Sequence, residues 1–224
     1  MREFLSSLLD LLLPPVCARC RVASESPLCA RCARELPRLE PGCIAPAGSG
    51  LTALAVEAPY EGEIESVVRR YKYPASGILG LDPAPQALLS VLLRDAAARV
   101  PPRVPDLVVA VPQHPRGLRR RGFDPAGILA RRLASEIGLR FSARALVRLR
   151  DGPSQTGLSR LARRANVAGA FAVAGGRRIP ARIWLVDDVV TTGATLREVA
   201  RMLRRAGARE VTGVCVARTP DRSA

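Results

Sequence analysis

Two adjacent carboxylates followed by a cluster of hydroxyls, in the run Val186-Asp187-Asp188-Val189-Val190-Thr191-Thr192-Gly193-Ala194-Thr195, are the most informative stretch of this 224-residue chain. Carboxylates are poor phosphate ligands but good acceptors for vicinal sugar hydroxyls, or for Mg²⁺ held beside them. The small, hydroxyl-bearing residues that follow let a backbone approach a phosphate closely and add donors. Acids for the sugar next to donors for the phosphate describe a cradle for ribose 5-phosphate. Asp187 and Asp188 are its candidate catalytic pair, and Val189, Val190, Thr191, Thr192, Gly193, Ala194 and Thr195 its binding loop. A plain strand-to-helix turn capped by Asp is the simpler alternative, but two acids and three threonines around one glycine exceed what a cap requires. Other nucleotide motifs fail. A Walker A loop needs Gly-Lys-Ser/Thr, whereas the sole lysine, Lys72, lies between two tyrosines. Gly48-Ser49-Gly50 precedes a strand, where a dinucleotide fingerprint must follow one.

A second chemistry stands near the N-terminus. Cys17, Cys20, Cys29 and Cys32 form two C-x-x-C knuckles eight residues apart, the spacing of a tetrahedral Cys₄ zinc site, in a short polar segment that needs a staple to fold. A redox pair or disulfides are the other readings, and a cytoplasmic location, expected on grounds given below, disfavours them. Cys43 stands alone, and Cys215 lies in an apolar run and reads as core.

The formal charge of +15 is unevenly placed: between residues 99 and 164 there are 15 arginines against Asp106, Asp124, Glu136 and Asp151. A field of this sign attracts phosphate-bearing partners. Its densest part, residues 112–122, holds Gln113, His114, Arg116, Arg119, Arg120 and Arg121 and reads as a basic loop after a strand. His114, the only histidine, reads as shaping that loop or packing between Pro112 and Pro115 more readily than as an anion ligand. At the N-terminus, Phe4, Leu5, Leu8, Leu9, Leu12 and Leu13 follow helical spacing up to Pro14-Pro15, and Glu3 and Asp10 interrupt the apolar run. That is a short amphipathic helix and not an export signal. No later stretch approaches the roughly 20 apolar residues of a membrane span, so a soluble, cytoplasmic protein is expected.

These groups need elements to position them. Continuous apolar runs at residues 107–111 and 183–186 have the pattern of strands buried on both faces of a parallel sheet, and residues 51–59, 146–148 and 211–217 read as further strands. Between them, Ile64, Val67, Val68 and Tyr71 mark one helix, Leu88, Leu89, Leu92 and Leu93 a second over residues 85–100, and Asp124-Pro125 starts a third that ends at Gly138. A short basic helix at residues 159–166 and one from Ala194 to Ala206, closed by Gly207, complete the pattern. Alternating strands and helices predict an α/β fold, a mainly parallel sheet flanked by helices. Residues 1–50 are expected to hold the amphipathic helix, the zinc-ribbon module and a Pro/Gly-rich linker, and residues 51–224 the larger domain.

Four ordered stretches, Val109-Ala110-Val111-Pro112-Gln113-His114-Pro115, Arg121-Gly122-Phe123-Asp124, Gln155-Thr156-Gly157-Leu158-Ser159-Arg160 with Arg163-Arg164-Asn166, and the loop from Asp187 to Thr195, give the last 120 or so residues a resemblance to the ComF family. These are phosphoribosyltransferase-fold proteins of the type I kind, named for a role in DNA uptake during competence. The resemblance implies binding of phosphoribosyl pyrophosphate (PRPP) with Mg²⁺. The residues from Thr191 to Thr195 would surround the 5′-phosphate, Asp187 and Asp188 would hold the ribose, and the loop after Val111 would face pyrophosphate. A flap over residues 155–164 would include Arg160. Pyrophosphate candidates are then Gln113, His114, Arg116, Arg121 and Arg160. Two function classes follow: a phosphoribosyltransferase in DNA uptake, DNA processing or nucleotide metabolism, or a non-catalytic PRPP-sensing adaptor that binds single-stranded DNA and competence proteins through its basic face and zinc ribbon. No clear general acid or base and no base-gripping residue stands out, and eight aromatic residues in all are few for a stacking groove.

Overall fold

The computed structural model describes residues 15–40, 43–44, 48–74, 83–101, 104–150, 167–176 and 178–220. The expected N-terminal amphipathic helix, the basic helix at residues 159–166 and the flap with Arg160 lie outside them. Five strands make the main sheet: β1 (Cys43–Ile44), β2 (Ala53–Pro59), β3 (Leu107–Ala110), β6 (Arg182–Val190) and β7 (Glu210–Arg218). Their order is β1-β2-β7-β6-β3, with β1 antiparallel to β2 and every other pairing parallel. This is the mainly parallel sheet expected from the alternating pattern.

The side-chain period of two explains how β6 serves both faces. Trp184 and Val186 join one buried cluster, with Ile64 and Val68 of α2 (Gly62–Lys72), Leu88, Leu89, Leu92 and Leu93 of α3 (Pro83–Ala98), and Leu129 and Leu133 of α5 (Pro125–Glu136). Ile183 and Leu185 join the other, against Leu196, Val199, Ala200 and Leu203 of α6 (Ala194–Arg205). The spacing of those four α6 residues gives a single apolar stripe, which leaves arginines such as Arg197 and Arg201 on the remaining surface.

Four local expectations change. Residues 112–122 are not a loop throughout: Pro115–Arg121 is a helix, α4, because His114 caps it through Nδ1, which accepts from the Arg116 N–H at 3.3 Å, and Pro115 begins it. His114 shapes this segment, as the sequence suggested. Strand β6 runs four residues beyond the apolar run, through Asp187 and Asp188, since Asp187 and Val189 keep their register with Cys215 and Ala217 of β7. The segment after residue 35 is not a free linker. Leu36 is buried, the Leu39 N–H donates to the Glu57 carbonyl at 2.8 Å, and β1 pairs with β2. Finally, β4 (Leu146–Arg148) pairs antiparallel with β5 (Phe171–Val173) in a separate two-stranded sheet, so it contributes nothing to the main sheet.

Candidate functional site

The carboxyl ends of β3 and β6, two parallel neighbours, open a cleft of about 420 Å³. Its floor is Asp187, Asp188, Val189 and Val190, followed by Thr191, Thr192, Gly193, Ala194 and Thr195, which turn into α6. Gly193 sits at φ +68°, in the left-handed region, and lets the chain turn sharply into α6, whose first residues, Ala194, Thr195 and Leu196, line the cleft. The Thr192 hydroxyl accepts from the Ala194 N–H at 3.4 Å, and Arg197 Nη2 holds the Thr192 carbonyl at 2.6 Å. Opposite stand Val111, Pro112, Gln113 and His114 after β3, with Arg120 and Arg121 of α4. Of the pyrophosphate candidates, Gln113, His114 and Arg121 thus line the cleft. Arg116 is exposed on α4 and is not among its lining residues, and Arg120 is.

The acidic pair is held by its own backbone. Asp187 Oδ1 accepts from the Asp188 N–H at 2.9 Å, and Asp188 Oδ1 from the Val189 N–H at 2.7 Å. Part of Asp187 faces the cleft, yet its carboxylate is ringed by protein. Burial, and then the charge of Asp188, push its pKa up to about 8. Asp188 is relieved by a partner that sequence reasoning set aside: Lys72 Nζ lies 2.8 Å from Asp188 Oδ2. Burial alone would lower the Lys72 pKa, but the charge of Asp188 and its hydrogen bond outweigh burial and raise it. Tyr60 at the end of β2, Tyr73 after α2 and Arg148 of β4 also line the cleft. Lys72 and the two tyrosines come from elements distant in sequence. One signal was available: a chain that uses arginine 34 times keeps a single lysine.

Arg121 is the most constrained cation here. Nη1 donates to Gln113 Oε1 at 2.9 Å, Nη2 to the Tyr73 hydroxyl at 3.2 Å, and the guanidinium lies 5.1 Å from the Tyr73 ring centroid. Its Nε is buried with no hydrogen-bond partner among the described residues.

Away from the cleft, Cys17, Cys20, Cys29 and Cys32 converge, with all four Sγ atoms within 4.8 Å of one another and Cys20 and Cys29 Sγ 3.8 Å apart. A tetrahedral zinc with Zn–S bonds of about 2.3 Å needs sulfurs about 3.8 Å apart, so the donor set fits. Burial opposes ionisation of Cys17, but the backbone N–H groups of Cys20, Cys29 and Arg19 favour its thiolate and bring its pKa down to about 6. Burial pushes Cys32 up to about 12. Zinc bound by these four would supply the cross-link that this short segment lacks. Arg19, inside the first knuckle between Cys17 and Cys20, donates to both Glu63 oxygens at 2.8 and 3.0 Å and to Glu35 at 2.7 Å, which ties the metal-binding segment to the first turn of α2.

The phosphoribosyl transferase domain model matches residues 116–224. The chain is 30% identical to the DNA utilization protein YhgH of Salmonella typhimurium over 213 residues, which cover 91% of this chain and 89% of that protein. The chain belongs to the ComF family. Competence protein F of Haemophilus influenzae is 28% identical to this ComF-family chain, over 88% of it and 87% of the relative. Among solved structures, the glutamine phosphoribosylpyrophosphate amidotransferase of B. subtilis is 25% identical over 65% of the chain and 30% of its own length, with a TM-score of 0.41. Among the described residues no helix is long and apolar enough to cross a membrane.

Proposed function

We propose that the cleft binds PRPP with Mg²⁺ and that the protein transfers the phosphoribosyl group to a nitrogen acceptor. The observation that carries this reading is the meeting, in one cleft, of the Asp187–Asp188 pair and the Thr191 to Thr195 turn with the Gln113 and Arg121 side. The carboxyl oxygens of Asp187 and Asp188 accept from the ribose hydroxyls, while the threonine hydroxyls and the N–H groups at the start of α6 take the 5′-phosphate. Loss of pyrophosphate leaves an oxocarbenium-like centre at C1, so catalysis needs preorganised cations on the departing group. Arg120 and Arg121 face the position where that charge develops. Mg²⁺, held between the sugar and the pyrophosphate, would add further neutralisation. The names of the relatives, a DNA utilization protein and a competence protein, support a role for this chemistry in DNA utilisation and competence, and we place that role in DNA uptake or processing in the cytoplasm.

Mg²⁺-PRPP should raise the melting temperature, since a ligand bound only by the folded state adds RT ln(1 + [L]/Kd). Thr192→Arg, which fills the phosphate position, and Asp188→Ala, which removes a ribose acceptor, should each abolish most of that shift. An undiminished shift in both variants refutes the assignment.

A second reading, a single-strand-binding adaptor, is favoured by one observation: Arg116, Arg119 and Arg120 on α4, with Arg140 and Arg144, are all solvent-exposed. Binding of a labelled single strand, followed by anisotropy, should then weaken steeply as salt rises, because each phosphate contact releases counterions. Affinity that is absent or indifferent to salt eliminates the adaptor.

A further inference from the structure

We propose that the cavity beside the cleft, lined by Tyr71, Tyr73, Phe123 and Ile128 and sharing Lys72 and Arg121 with the cleft, is the subsite for a planar aromatic carboxylate whose ring nitrogen accepts the phosphoribosyl group. The proposal rests on the PRPP reading of the neighbouring cleft. At about 410 Å³ the cavity falls in the range of small-molecule sites, about 300–1,000 Å³. Its walls are aromatic and rigid. The Tyr71 and Phe123 rings meet edge to face with centroids 5.9 Å apart, and the Tyr71 hydroxyl is fixed as a donor to the Pro125 carbonyl at 3.0 Å.

The charge of the lining sets the class of ligand. Lys72, Arg120 and Arg121 contribute to it, and among the described residues no aspartate, glutamate or histidine does. Arg121 is held on the wall by Gln113 at 2.9 Å and Tyr73 at 3.2 Å, and the exposed Arg120 stands next to it in the lining. An anionic oxygen entering the cavity meets these cations, and a carboxylate forms the stronger, charge-assisted bond with a guanidinium. The same lining restricts the reaction. The lone pair of the ring nitrogen forms the N–C1 bond as the C1–O bond to pyrophosphate breaks, and that bond's electron pair leaves with the pyrophosphate. A pyridine-type nitrogen carries no proton, so no base has to remove one, and the cationic ring that results is balanced by its own carboxylate.

The test compares nicotinate with nicotinamide, which share a ring and differ in charge, by calorimetric titration of the full chain with ribose 5-phosphate in the cleft. Nicotinate should bind about tenfold or more tightly than nicotinamide, and Arg121→Gln should erase the difference. Ile128→Trp should fill the cavity and abolish nicotinate binding while the thermal shift by Mg²⁺-PRPP persists. Tyr73→Ala alters a residue that is 63% exposed, so the fold tolerates it, and it should weaken both ligands. Equal affinities, no binding of either ring compound, or nicotinate binding undiminished in both Ile128→Trp and Tyr73→Ala overturns the subsite. Loss of the Mg²⁺-PRPP shift in the unaltered protein instead overturns the reading of the cleft.

Discussion

Asp187 and Asp188 place two carboxylates side by side at the end of a buried strand, with one ammonium to share between them. An Asp whose folded pKa is raised to about 8 holds its proton in the native state over a range where the unfolded chain has released it. Folding therefore binds protons between about pH 4 and pH 8. This contribution favours the fold most below pH 4, declines as the pH climbs through that window, and is gone above about 8. Asp187→Asn is neutral in both states and keeps an oxygen for the Asp188 N–H. Urea midpoints should therefore coincide for the two proteins near pH 4 and diverge with rising pH, the Asn variant being the more stable at pH 8. Parallel curves would show that Asp187 titrates like an ordinary carboxylate. Above about pH 8 the variant should also bind PRPP more weakly than the native protein, because there a ribose hydroxyl donates to an amide oxygen in place of an anion.

At the scale of elements, β2 and α3 are joined to the incoming chain by a buried ion cluster. Glu57, fully buried in β2, pairs with Arg38 and with Arg99, whose Nε and Nη2 lie 2.8 and 2.9 Å from its two oxygens. Arg38 also reaches Asp95 of α3 at 2.9 Å, and Arg99 Nη1 reaches the carbonyls of Leu39 and Glu40 at 3.2 and 3.3 Å. Burial pushes the Glu57 pKa up even with two arginines beside it, so the pair is costly to assemble and costlier to break. Glu57→Gln should destabilise the protein by about 3 kcal/mol, read from denaturant midpoints. It should also loosen residues 36–40, read as faster amide exchange at Leu39. A change below about 0.5 kcal/mol would mean that the cluster behaves like a surface pair.

Across the whole molecule, α2 links the two chemistries. Its first turn carries Glu63, gripped by Arg19 of the first cysteine knuckle, and its last residue is Lys72, paired with Asp188 in the cleft. Zinc removal should therefore be felt at the cleft. Metal analysis should find one zinc per chain, lost in Cys29→Ser. Chelation should lower the melting temperature and weaken PRPP binding together, whereas Arg19→Ala should keep the zinc and still weaken PRPP. Unchanged PRPP affinity after verified metal loss would show that the two ends of α2 are independent.

The sequence by itself determined what depends on local pattern. The turn from Thr191 to Thr195 stood out because small, hydroxyl-bearing residues in a row are what close approach to an anion demands. The Cys₄ set was legible because ligands of one ion fall at short, fixed spacings. The buried strands and the stripes of α2, α3 and α6 were legible because burial imposes periods of two or 3.6. Tertiary structure decided what depends on residues far apart in the chain. Lys72 looked unremarkable between two tyrosines until the end of α2 brought it 2.8 Å from Asp188, 116 positions away. Arg121 and Tyr73 became one wall between two cavities only when α4 packed beside the end of α2. Residues 36–40 and 43–44 lost their linker character because β2 offered an edge to pair with and Glu57 a charge to neutralise. Such contacts have no sequence period, since their geometry is set by the packing of whole elements.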